Sequence, residues 1–125
     1  MTYYVRTDVA NKLRELLPAK WLIIDHAVAL DNPINPVILV RQMSLARTAG
    51  GPRQYRDAAL TIALVEPGFD VAQVERALDD DVELLVDALE TIDIPGLIWT
   101  GADRVTFDDR FHGYDVHVTV TIGKD

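Results

Sequence analysis

The residues with the most chemistry in them are the three histidines and the acids around them. His112, Asp115 and His117 fall close together, and imidazole and carboxylate donors of this kind hold zinc in catalytic sites. Asp115 and His117 stand two apart, so in a strand they share a face. A catalytic site would need these residues to converge with one another and with the distant Asp25-His26 pair. The simpler reading is the polar outer face of an edge strand. Asp79-Asp80-Asp81 offers three carboxylates in a row, but successive helical side chains point about 100° apart and cannot close on one ion. That run reads as a solvated face, and Asp108-Asp109 as a turn.

Gly50-Gly51 lacks the Lys-Ser/Thr that completes a phosphate loop, and G-x-S-x-G, G-x-G-x-x-G and H-E-x-x-H are all missing. With no cysteine there is no thiolate ligand and no thiol nucleophile, which suits a reducing compartment. The expectation is a protein with no catalytic residue, metal or cofactor. Its rival is a small ligand-binding or hydrolytic α+β domain with Asp25, His26, His112, Asp115 and His117 around a polar pocket.

The elements that would position these groups are organised around residues 70–100. Val71, Val74, Leu78, Val82, Leu85, Leu89 and Ile92 recur at steps of three and four, which predicts an amphipathic helix over 70–93, roughly 34 Å long. Asp70 with Gln73 matches a capping box, and Pro95-Gly96 ends the helix. A short first helix is predicted over 8–17, closed by Pro18, then a strand over 21–24 and turn chemistry over 31–36. Residues 37–45 read as a strand with Val37, Leu39, Arg41, Met43 and Leu45 on one face. A flexible basic loop over 46–54 leads to a return strand over 55–65, apolar on both faces and so central or covered twice. Residues 97–99 and 104–107 read as short extended pieces. The last strand, 114–122, alternates Tyr114, Val116, Val118, Val120 and Ile122 with Asp115, His117, Thr119 and Thr121. Trp21 and Trp99 are core candidates. The sum is α+β: a single domain over 1–125 with a small, mostly antiparallel sheet, the long helix and the short N-terminal helix packed on it.

At 125 residues and 49% hydrophobic, the chain can build a core. Its N-terminus is too polar for a signal peptide, and no apolar run reaches the ~20 residues of a membrane span. Charge is segregated. Residues 70–93 hold nine acids against Arg76, which accounts for the whole net charge of −8. Residues 32–56 hold Arg41, Arg47, Arg53 and Arg56 and no acid. An acidic chain grips nucleic acid poorly. The better match for the basic loop is an acidic protein surface, and the obvious one is the 70–93 helix of a neighbouring copy. Arg47, Arg53, Tyr55 and Arg56 on one side and Asp79, Asp80 and Glu83 on the other are the interface candidates. Unlike patches at different places favour head-to-tail contacts, which close into rings when the rotation permits.

Short strings along most of the chain resemble the tail terminator proteins of long-tailed, siphovirus-like phages, particularly those of actinobacteria. They are VAQVERALDDDVELLVDALE, then Ile94-Pro95-Gly96-Leu97-Ile98-Trp99-Thr100 with Ala102, Val105 and Phe107, and Tyr114-Asp115-Val116. Leu16-Leu17-Pro18-Ala19-Lys20-Trp21 and Tyr55-Arg56 add to them. The resemblance implies a virion structural protein of the tail or neck, assembled in the host cytoplasm. It implies a hexameric ring that caps the tail tube, ends its growth and joins it to the head. Its partners would be further copies, the major tail tube protein and a head–tail connector protein, with DNA passing the lumen without specific binding and no membrane involved. The implied fold is related to that of the tail tube, without an active site. A head–tail connector, a stopper or adaptor, is the alternative.

Overall fold

The structure, a computed structural model, describes residues 4–26, 33–48, 55–107 and 109–123. Its elements are α1 (Val5–Leu16), β1 (Leu22–Ile24), β2 (Val37–Arg47), β3 (Tyr55–Glu66), α2 (Val71–Thr91), β4 (Leu97–Phe107) and β5 (Phe111–Gly123). The strands form one sheet in the order β1-β2-β3-β5-β4. Every pairing is antiparallel except β1 with β2. The fold is thus α+β with a mostly antiparallel sheet, as the order of elements predicts. The predicted turn at 31–36 and loop at 46–54 lie partly outside the described residues.

β3 takes the centre because it is apolar on both sides. Ala58, Leu60, Ile62 and Leu64 join Ile38 and Val40 of β2 and Val116, Val118 and Val120 of β5 in the main core. Val9 and Leu13 of α1 and Leu78, Leu85 and Leu89 of α2 enter the same cluster, so both helices cover one face. On the opposite face Ala63 and Val65 meet Val37, Leu39 and Phe111 in a smaller cluster.

α2 buries Val74, Leu78, Leu85 and Leu89 of the predicted stripe together with Ala88, while Val82 and Ile92 are half-buried and Val71, in the first turn, is exposed. It is shorter than the expected 70–93, with 21 residues. Asp70 is the N-cap, its carboxylate accepting from the Gln73 N–H at 3.2 Å. At the far end Ile92 turns extended (φ −56°, ψ 136°). Ile94 is buried and precedes Pro95, which disfavours helical backbone at that position. Gly96, at φ +82°, makes the turn into β4, and a Cβ there would come within 2.8 Å of the Thr121 carbonyl oxygen.

Four other expectations change. α1 begins at Val5, because Val5 and Val9 extend the buried stripe backwards from Leu13. β4 is one continuous strand; the residues between its two predicted pieces hold a register shift between Trp99 and Gly101. β5 is interior, flanked by β3 and β4, not an edge. A shift between Gln42 and Ser44 puts Leu45 opposite Ala58, on the helix side of the sheet, not with Val37 and Leu39.

Candidate functional site

The histidines do not converge. His112 pairs with Glu66 across β3 and β5, while Asp115 and His117 alternate onto the other face. His117 Nε2 contacts Asp103 at 2.9 Å, and the Arg41 guanidinium stands 3.5 Å from Asp115. Asp25 and His26 lie past β1, with β2 and β3 between that strand and β5. There His26 bonds Asp25 at 3.0 Å and Thr7 donates to Asp25 at 2.8 Å. The His26 hydrogen bond, then that of Thr7, holds the Asp25 carboxyl below its usual range. The five-residue pocket of the rival reading is therefore not assembled. Among the described residues no group of three or more such ligands is placed to hold a metal.

The most perturbed group is one that sequence reading treats as the start of a turn. Glu66 ends β3 and is 5% exposed. Burial first, then the hydrogen bond and charge of Asp81 on α2, push its pKa up to about 8. Glu66 is thus protonated at neutral pH and hydrogen-bonded to Asp81, while its Oε2 has no partner among the described residues. Asp81 accordingly departs from the solvated face expected of all three aspartates, since it is half-buried. The one available signal is that Glu66 continues an apolar run and is stopped only by Pro67.

A second polar bridge ties α2 to the sheet. Arg104 grips Glu75 through two bonds of 2.8 and 2.7 Å and lies 5.5 Å from the Tyr114 ring centroid. The Arg104 hydrogen bond holds the Glu75 carboxyl low. Trp99 is half-buried rather than core, its indole N–H donating to Glu90 at 3.1 Å. Trp21 is buried.

The interface candidates lie on two separate parts of the fold. Arg47 and Arg56 face each other across the far end of the β2–β3 hairpin, both exposed. Like charges directly opposed on paired strands repel. Neither makes an ion pair among the described residues. Tyr55 lies beside them, its ring across Gly123. Asp79, Asp80 and Glu83 are exposed on α2, which packs on β3, β4 and β5. Arg53 lies outside the described residues. A groove of about 350 Å³ runs between Arg6 of α1 and residues 42–45 of β2. No helix among the described residues is long and apolar enough to cross a membrane. No protein-family model and no curated protein matches the chain.

Proposed function

We propose that the chain is a virion structural protein of the tail-terminator kind, working as one subunit of a hexameric ring that closes the tail tube and meets the head. It acts by fitting against copies of itself, the tube protein and a connector protein, and transforms no substrate. The observation that carries this is the separation of charge on one small fold. Arg47 and Arg56 repel each other at one end, and the exposed acids of α2 stand elsewhere. Each patch is relieved by the other on a neighbouring subunit, and a heterologous contact of this sort propagates until it closes. The short strings that resemble tail terminators point the same way.

Mass photometry of the purified chain from low to high salt tests this. Six-membered rings at low salt that dissociate as salt screens the contact are expected. The triple variant D79K/D80K/E83K should stay monomeric with its thermal melt nearly unchanged, because those side chains are exposed and form no ion pair among the described residues. A chain that remains monomeric at high concentration and low salt overturns the proposal. Rings found on tail ends by negative-stain microscopy separate a terminator from a connector.

A further inference from the structure

β1 covers only Val37, Ile38 and Leu39 of β2. Among the described residues no strand lies along the outer edge of β2 over residues 40–47. At the other end of the sheet no strand among the described residues lies along the outer edge of β4, Leu97–Phe107. An open edge is a row of unpaired N–H and C=O groups, and proteins that must stay single block it with proline or lysine. Neither strand carries either residue, and the register shifts at Gln42/Ser44 and Trp99/Gly101 interrupt each edge only locally. Both instead expose large apolar side chains there: Met43 and Leu45 on β2, Ile98 on β4.

We propose that the outer edge of β2 takes the outer edge of β4 from a second copy, so that the sheets of neighbouring subunits run on as one. This rests on the ring assembly above and names the surface that makes it. Strand polarity supports it. β2 runs against β3, β3 against β5 and β5 against β4, so β2 and β4 point in opposite directions. A copy carried sideways along the sheet therefore presents its β4 antiparallel to β2, and the same step repeats for the next copy.

Charge selects this pairing over the two symmetric ones. The β2 edge has Arg47 and no acid, Arg41 being held against Asp115, and Arg6 of α1 stands over it across the groove of about 350 Å³. On β4 Asp103 and Arg104 balance, so the sign of that side is set by α2 above it, which holds seven acids against Arg76 and is tied to β4 by the Trp99–Glu90 and Arg104–Glu75 bonds. Two β2 edges would set arginine against arginine, and two β4 edges would set acidic helix against acidic helix. The unlike pair brings α1 of one subunit beside α2 of the next.

The chain has no cysteine, so introduced thiols report alone. Ser44→Cys is combined in one full-length chain with Ile98→Cys, Thr100→Cys or Ala102→Cys in turn, to scan the register. Mild oxidation and a non-reducing gel are then read beside the single variants. At least one double variant should give a ladder up to the ring, while no single variant cross-links. Leu45→Lys should raise the concentration needed for assembly at least tenfold while leaving the monomer melt in place. Dimers from Ser44→Cys alone mean β2–β2 pairing and overturn the proposal. Rings that form by mass photometry but never cross-link in any double variant overturn it too, and leave the ring itself standing. A chain that stays monomeric throughout, or that binds only a strand of another protein, removes both.

Discussion

Replacing Glu66 with glutamine should make the protein more stable in alkali while leaving its shape alone. Glu66 is buried against Asp81, with its pKa raised from 4.5 to about 8. The folded chain therefore holds a proton on this carboxyl that the unfolded chain releases. Between those two values the native state binds more protons, so stability falls as pH rises, and above about 8 the full cost of the buried charge is carried. At about 1.4 kcal/mol for each tenfold, that interval sets a ceiling of about 5 kcal/mol. Asp81 is half-buried and can swing towards water, which brings the expected effect down to on the order of 2 kcal/mol. Glu66→Gln keeps the volume and a hydrogen-bond donor for Asp81 and removes the titration. Urea unfolding followed by the buried Trp21, from pH 5 to 9 at constant ionic strength, measures it. The wild type should lose stability across that range relative to the variant, a widening equivalent to about 6–10 °C in Tm for a domain of this size. Asp81→Asn, which leaves Glu66 as the only acid of the pair, should flatten the curve in part. Parallel curves for wild type and Glu66→Gln would refute the reasoning, since they would mean that Glu66 is solvated and charged in the fold.

Three further substitutions test the packing by thermal or chemical melts. Asp70→Ala removes the cap on the Gln73 N–H and should cost about 1 kcal/mol. Leu85→Ala, at a fully buried position of α2, should cost about 2–5 kcal/mol. Gly113→Ala should unfold the chain or cost at least about 3 kcal/mol, because the new Cβ would collide with the Leu64 carbonyl oxygen and come within 2.5 Å of Phe107 Cε2.

How far the fold is legible from sequence depends on whether a residue's environment is set locally. The stripe of α2, the two-sided apolar β3 and the alternation of β5 follow from burial repeated at a fixed period, and the structure has all three. What sequence missed is non-local. The shifts at Gln42/Ser44 and Trp99/Gly101 are set by partner strands, and alternation counted along one strand cannot see the extra residue. Strand order decides that β5 is interior, and no period within β5 carries that. The site behaves the same way. Asp79, Asp80 and Glu83 are exposed as a polar helix face requires, whereas Asp81 turns inward because Glu66, 15 residues earlier, waits on the sheet.

The order of strands bears on how the chain assembles in time. β2 with β3, and β4 with β5, are neighbours along the chain and can zip early, at little entropic cost. The seam between them joins Tyr55 to Gly123 and Glu66 to His112, and it closes only across the whole of α2 and β4. That closure is the slow, high-contact-order step. Until it is made, each hairpin shows the solvent a raw flank, and a crowded solution of identical nascent chains is where those flanks meet the wrong mate.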